Sequence, residues 1–375
     1  MKLERSSALL GAFAVGAVTL AGCGSDNNSS TGTSGGSTAA ESSASCTGKE
    51  NLSGAGSSAQ KNAMDSFTAA YISACSAKGK KVNVAYNPSG SGDGRTQFIA
   101  EQIDFAGSDS AIKDEQAAQA KQRCGGNDAW NLPLVFGPIS LAYNIEGVDR
   151  LVLDGETAAK VFNGGITKWN DPAIAALNRG VALPDTDITV FVRSDSSGTT
   201  DNFQQYLAAA APQAWTQGAG SDFKGGVGQG AKGSAGVAQG VAGTPGAIGY
   251  VEKSFADQNK LRSAEIDNGA GPVELSAATA SKAIAGAQFT AEGSMNLALD
   301  LKSTYQTKAA GVYPLILATY EIVCSKGYDA DTSAAVKSFL TSAVNEGQSG
   351  LEQLGYVPLP NDFKAKAAAS IEAIG

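Results

Sequence analysis

Two apolar runs, Leu132-Pro-Leu-Val-Phe-Gly-Pro-Ile-Ser-Leu-Ala-Tyr-Asn144 and Tyr313-Pro-Leu-Ile-Leu-Ala-Thr-Tyr-Glu-Ile-Val-Cys324, decide how this chain is organised. The first carries Pro133, Gly137 and Pro138 and reads as a strand that leaves one domain and enters the next. Upstream of it, strand and helix alternate. Asn51 to Gly54 enters a strand, and Ser58–Ala77 reads as a helix with apolar positions at Ala59, Ala63, Phe67, Ala70, Tyr71 and Ala74. Lys81–Tyr86 is a strand by β-branched alternation, Gly94–Gln102 a helix, Asp104–Gly107 a short strand and Asp114–Arg123 a helix. Between the runs come a helix at Thr157–Phe162, a strand at Ile188–Val192 and a helix at Thr200–Ala211. A Gly-rich loop with one short helix follows at Gly218–Gly243, then a strand at Ala247–Val251. The tail is helical at Ala334–Val344 and Phe363–Ile374. This rhythm predicts an α/β architecture with largely parallel sheets covered by helices.

The 375 residues support two folded domains better than one. The chain holds no histidine, which excludes Ser-His-Asp and Cys-His pairs and HExxH zinc sites. Lys and Arg number 28 against 36 Asp and Glu, a net charge of −8. That balance argues against a nucleic-acid partner, which needs a basic face. No carboxylate cluster suggests a two-metal site, and no cofactor motif survives inspection. Gly228-Gln-Gly-Ala-Lys-Gly233 matches G-x-G-x-x-G, but it lies in a Gly-rich stretch without a preceding strand and reads as chance. Gly32-Thr-Ser-Gly-Gly36 matches G-x-S-x-G away from any strand-to-helix elbow.

The N-terminus reads as an address. Lys2 and Arg5 precede an apolar run, Ala8–Leu20, that ends in Leu20-Ala21-Gly22-Cys23. This arrangement resembles the lipobox of bacterial lipoproteins, which implies a signal peptide over 1–22, cleavage before Cys23 and acylation of that residue. Loss of Lys2, Glu4 and Arg5 leaves 26 basic and 35 acidic residues, a net −9. Gly24–Ser45 is built of Gly, Ser, Thr, Asn and Ala with one Asp and one Glu, and reads as a flexible tether reaching roughly 25 Å. Residues 23–50 are then lipid anchor and linker.

Four further cysteines, Cys46, Cys75, Cys124 and Cys324, allow three pairings in an exported chain. Cys46 precedes the first strand and Cys75 ends the helix after it, so both lie at one end of a strand-then-helix unit. That favours Cys46–Cys75 and leaves Cys124–Cys324.

Three strand-to-helix turns share one design: Gly54-Ala-Gly-Ser-Ser58, Ser89-Gly-Ser-Gly-Asp-Gly94 and Arg193-Ser-Asp-Ser-Ser-Gly-Thr199. A helix N-terminus offers unpaired N–H groups and about half a positive charge. Glycines admit an anion to the backbone, and hydroxyls add donors. One such turn is commonly a plain N-cap; three, one with an arginine, point to an oxyanion site. Asp104-Phe-Ala-Gly-Ser-Asp109 adds a carboxylate. An ionised carboxylate only accepts, so it suits an anion that still carries a proton: HPO₄²⁻ or H₂PO₄⁻, but not sulfate.

These four segments, in this order, resemble the phosphate-binding proteins of the bacterial phosphate-specific ABC transporter, within the periplasmic-binding-protein superfamily and most like actinobacterial members. Phe162-Asn-Gly-Gly-Ile-Thr-Lys-Trp-Asn-Asp-Pro172 with Leu177-Asn178, and Pro245-Gly-Ala-Ile-Gly-Tyr-Val251, are similar to that family too, over nearly all of residues 51–375. The resemblance implies phosphate contacts from Ser58, the backbone of Ala59, Ser91, Asp109, Arg193, Ser197, Gly198 and Thr199, with Asp195 holding Arg193. Where the family often has Thr-Phe, this chain has Ser58-Ala59, which keeps a hydroxyl and loses apolar cover. It implies a two-lobed fold with hinge-crossing strands: lobe 1 at 51–135 plus 312–375, lobe 2 at 136–311, the two apolar runs crossing between them. It further implies a lipid-anchored monomer outside the cell membrane that passes phosphate to membrane permease subunits served by a cytoplasmic ATPase. No catalytic residue, metal or cofactor is expected. Alternatives are a binding protein for another oxyanion or an organic phosphate, a phosphatase that would lack a histidine base, and a structural or adhesive surface protein. Trp130, Trp169 and Trp215 read as packing residues.

Overall fold

The computed structural model describes residues 42–375; the signal-like segment, Cys23 and the tether through Glu41 lie outside them. The chain runs β1 (Asn51–Gly56), α1 (Lys61–Ala77), β2 (Asn83–Asn87), α2 (Ser91–Ile99), β3 (Phe105–Ser108), α3 (Asp114–Arg123) and β4 (Ala129–Asn144). Then come β5 (Val152–Asp154), α4 (Gly155–Phe162), α5 (Pro172–Leu177), β6 (Thr189–Arg193), α6 (Gly198–Ala210), β7 (Gln229–Ala231), α7 (Gly233–Gly243), β8 (Ala247–Glu252) and α8 (Lys253–Gln258). A stretch of short pieces follows: β9 (Arg262–Ser263), β10 (Glu265–Asp267), β11 (Pro272–Val273), α9 (Ala277–Ile284), β12 (Gln288–Phe289), β13 (Leu299–Asp300) and α10 (Lys302–Tyr305). The chain returns through β14 (Ile316–Cys324), α11 (Ala330–Val344) and α12 (Asn361–Glu372). No helix among the described residues is long and apolar enough to cross a membrane.

The architecture is α/β, and the two apolar runs form its middle. One sheet has the order β2-β1-β3-β14-β4-β8-β6-β7, with β9 also on β4. Its flanks are parallel, β2-β1-β3 on one side and β8-β6-β7 on the other. Its centre is antiparallel: β14 runs against both β3 and β4, and β4 runs against β8. The expected largely parallel sheet is thus mixed, because the long strands return between the two parallel groups instead of crossing over helices.

β4 serves β14 and then β8 in succession, with β9 also paired at Ala142 and Tyr143. Residues 129–138 pair with β14 and residues 139–144 with β8. The prolines mark the irregular points, as a residue without a backbone N–H must. The register shifts between Thr319 and Tyr320, opposite Val135 and Pro133, and Pro138 sits where β4 exchanges one neighbour for the other.

Aromatic contacts run through one contiguous core, near both flanks of this sheet. Tyr71 and Phe105 meet Phe339 at centroid distances of 5.6 and 5.4 Å, while Phe203 packs on Phe162 and Tyr250 at 4.7 and 4.5 Å. Trp169 and Trp215 are buried, their indole N–H groups donating to the carbonyls of Gly246 and Gly218. Disulfides join Cys46 to Cys75 and Cys124 to Cys324, the pairing the sequence favoured.

The body begins earlier than the composition suggests. Ser42–Ser45, read as the end of the tether, packs on the body. The Ser43 N–H and hydroxyl donate to Glu346 at 2.7 and 2.9 Å, the Lys78 ammonium donates to the carbonyls of Ser42 and Ala44, and Ala44 is fully buried. The nearby Cys46–Cys75 bond fixes this polar segment, which buries too little apolar surface to order itself.

Candidate functional site

All the residues expected at the site gather where the C-terminal ends of β1, β3 and β6 meet the starts of α2, α6 and α7. The first turn differs from expectation: α1 begins at Lys61, not Ser58, and residues 57–60 form a turn ahead of it. The Ser57 side chain explains the delay. Its oxygen accepts the Ala59 N–H at 3.1 Å, a local bond that competes with helix formation. The Ala59 N–H therefore points at Ser57, and the Ala59 carbonyl accepts from the Tyr356 hydroxyl at 2.6 Å.

The second turn starts a helix directly. Gly90 precedes Ser91, the first residue of α2, with φ +113°, a conformation that favours glycine. A Cβ at Gly90 would lie 2.5 Å from Asp195 Oδ2. At the third turn Ser197 caps α6, its side chain accepting the Thr200 N–H at 3.2 Å. Gly198 is a close approach between the two sides: a Cβ there would stand 2.7 Å from both Asp109 Cβ and Ser91 Oγ. The Gly92 N–H donates to the Ser196 carbonyl at 3.0 Å, so the starts of α2 and α6 are joined through backbone.

A fourth strand-to-helix turn, which the sequence reading missed, completes the ring. Gly233 and Ser234 open α7 directly after β7. The Gly233 N–H donates to Asp195 Oδ1 at 2.9 Å, and the Ser234 N–H donates to Ser58 Oγ at 3.0 Å. The G-x-G-x-x-G stretch therefore does contain a strand, β7, hydrogen-bonded to β6 and leading into a helix. The signal was present as small residues and a serine at a strand-to-helix turn; its glycines hid a three-residue strand.

Arg193 and Asp109 supply the charges. Arg193 ends β6 with 5% of its surface exposed, and Asp195 grips its Nε at 2.7 Å and its Nη2. This fork-on-fork pair leaves Nη1 without a protein hydrogen bond among the described residues. Burial alone would raise the Asp195 carboxyl, but the bonds and charge of Arg193 and the Gly233 N–H outweigh it and hold the group below 3.8.

Asp109 is 3% exposed and accepts three hydroxyls: Ser57 at 2.5 Å and Thr319 at 2.9 Å on Oδ1, Thr199 at 3.0 Å on Oδ2. Burial lifts its carboxyl above 3.8, while those hydroxyls and the charge of Arg193 draw it back. The backbone is held as well, the Asp109 N–H donating to Ser91 Oγ at 3.2 Å and its carbonyl accepting from Asn202 at 2.7 Å. An ionised carboxylate has about four acceptor positions, so about one, on Oδ2, stays open.

The geometry is that of an oxyanion cradle with one acceptor built in, and comparison with known proteins agrees. A model of the PBP superfamily domain matches residues 33–344. The chain is 48% identical over 378 residues to the phosphate-binding protein PstS 3 of Mycobacterium tuberculosis, covering 100% of each. The chain belongs to the PstS family of phosphate-binding proteins. The family reaches further afield: the phosphate-binding protein PstS of Pasteurella multocida is 35% identical over 296 residues, 78% of this chain and 82% of that one. Among solved structures, a high-affinity periplasmic phosphate-binding protein bound with phosphate superposes with a TM-score of 0.65 at 22% identity, covering 85% of this chain and 93% of that one. That likeness shows the two-lobed binding-protein fold.

Proposed function

We propose that this PstS-family chain captures inorganic phosphate between its two lobes and hands it to the membrane permease of a phosphate ABC transporter. It is a binding protein and performs no catalysis. The observation that carries the reading is Asp109. Its three hydroxyl partners leave about one acceptor position, set among three helix starts and the free face of Arg193. Helix N-termini and a guanidinium attract any oxyanion. The open acceptor adds a condition: one oxygen of the ligand must bear a proton. Phosphate meets it near neutral pH and sulfate does not.

Ser58, the Ala59 segment, Ser91, Ser197, Gly198 and Thr199 line the cradle in this reading, and Asp195 orients Arg193. The lobes divide as 51–135 with 312–375, and 136–311, and close by bending where β4 and β14 pass between them. Cys23 carries the lipid anchor, Gly24–Glu41 spaces the body from the membrane, and the protein works as an extracytoplasmic monomer.

Calorimetric titration of the purified body with phosphate and with sulfate tests this directly. Tight phosphate binding with sulfate weaker by orders of magnitude is expected. Equal affinity for the two, or no phosphate binding, would overturn it.

A further inference from the structure

Arg95 is a second buried arginine near the cradle, at 7% exposure, one turn into α2 from Ser91. Its guanidinium makes a hydrogen bond from each of its three nitrogens. Nη1 donates to Ser108 Oγ at 2.8 Å, Nε to Gln116 Oε1 at 2.9 Å and Nη2 to Ser221 Oγ at 3.2 Å. Ser108 and Gln116 lie on the same side of the cleft as Arg95, on β3 and α3. Ser221 belongs to the Gly-rich segment before β7, on the other side.

Both ends of this bridge reach the anion site through one further residue. Ser108 directly precedes Asp109, and its hydroxyl donates to the Ser110 carbonyl at 2.6 Å. The Ser221 carbonyl accepts the N–H of Ser197, the cap of α6, at 2.9 Å. Gln204 holds the Ser221 segment, donating to the carbonyls of Gly220 and Asp222 at 2.7 and 3.0 Å. The acidic groups facing Arg95 are Asp201, on α6, and Asp109, and Lys113 lines the same pocket. Asp201 itself accepts from the Ser110 hydroxyl across the cleft at 2.7 Å.

We propose that Arg95 is a positioning residue that clasps the closed cleft, tying the turn that holds Asp109 to the loop that anchors the Ser197 cap. Separation of the two sides breaks the bond to Ser221 and moves Asp201 away from the guanidinium, while Ser108 and Gln116 travel with Arg95. The clasp therefore contributes only in the closed form. A contact of that kind raises affinity by populating the closed state, and its loss shows in release, not capture. Arginine suits the task because its rigid planar fork spreads its donors over three nitrogens, where a lysine concentrates them on one.

The inference rests on the reading of the cleft as a phosphate site, and the experiment separates the two. Stopped-flow capture and release of phosphate are measured for the unaltered protein, Ser221→Ala, Arg95→Met and the double variant. Ser221→Ala is expected to speed release severalfold and Arg95→Met roughly tenfold or more, with capture rates unchanged. The double variant should release no faster than Arg95→Met, because both changes remove the same cross-cleft bond. If the unaltered protein fails to bind phosphate, the proposed function falls. If it binds and Ser221→Ala releases at the unaltered rate, or the two effects add in full, the clasp falls alone. Should Arg95→Met not fold, Ser221→Ala decides by itself.

Discussion

Two buried carboxylates lie on neighbouring strands of one sheet and are treated in opposite ways. Asp109, just past the end of β3, receives hydroxyls from Ser57, Thr199 and Thr319. Glu321, in the middle of β14 and paired with Gly107 of β3, receives none: both its oxygens are buried without a hydrogen-bond partner. Its neighbour Gln60 donates to the Tyr86 hydroxyl at 3.0 Å, and Gln60 Oε1 is likewise buried and unpartnered. A carboxyl buried without such donors has nothing to compensate its charge, so burial favours its neutral form. Burial is common to both acids; the donor set distinguishes them. Asp109 is equipped to be a charge that accepts, Glu321 to be a neutral acid that packs.

The most damaging way to break the Asp109 side is to wedge it. A Cβ at position 198 meets Asp109 Cβ and Ser91 Oγ at 2.7 Å, both on the other side of the cleft. Gly198→Ala should therefore keep the cleft from closing fully and weaken phosphate binding roughly ten- to hundredfold. Calorimetry showing unchanged affinity would mean that the cradle closes elsewhere.

Asp109→Asn comes next. The amide keeps the shape and replaces one acceptor oxygen with a donor. Phosphate affinity should fall roughly tenfold and the ratio of phosphate to sulfate binding should shrink, since the rejecting acceptor is gone. Retained discrimination would assign selectivity to the helix starts instead.

Much of this site was legible because its parts are contiguous. Gly54–Ser58, Ser89–Gly94, Asp104–Asp109 and Arg193–Thr199 each carry strand end, small residues and hydroxyls within a few positions, so local chemistry announces them. What distinguishes Asp109 from Glu321 was not legible. Thr319 lies 210 residues from Asp109 in sequence and sits in a run that reads as plain apolar strand. Its role exists only because β14 returns beside β3. Ser57 looked like part of a helix cap and instead delays the helix while serving Asp109. The start of α7 was hidden by a Gly-rich stretch, and residues 253–312 form short pieces with weak periodicity. The fold's outline follows from alternating patterns, whereas its antiparallel centre depends on which long-range partners β4 and β14 select.

Thr319 also offers a milder test. Thr319→Val removes one donor from Asp109 and keeps the β-branched shape. Because the Thr319 hydroxyl lowers the Asp109 carboxyl, its loss should raise that group further above 3.8. Asp109 then picks up a proton at higher pH as the solution is acidified, so phosphate binding should begin to fail at higher pH than in the unaltered protein. Near neutral pH the loss should be only about threefold. An acid limb that does not move would show that Ser57 and Thr199 suffice.

The smallest effect on binding belongs to Glu321→Gln, and it is the sharpest test of the contrast. Burial holds the Glu321 carboxyl well above 4.5, with Gln60 opposing the shift and the charge of Asp109 adding to it. The folded protein therefore keeps a proton that the unfolded chain has already released. Linkage fixes the sign: the stability this group contributes is complete below about pH 4.5 and is withdrawn as pH rises toward its folded value. Glutamine keeps the shape and cannot ionise. Phosphate affinity should then stay within about twofold of the unaltered protein. The melting temperature of the variant, relative to the unaltered protein, should climb as pH rises above about 4.5. Glu252, which burial also raises, titrates in both proteins and cancels in the difference. A difference that stays flat with pH would mean that Glu321 is ionised and served by donors after all, and the two carboxylates would then be alike.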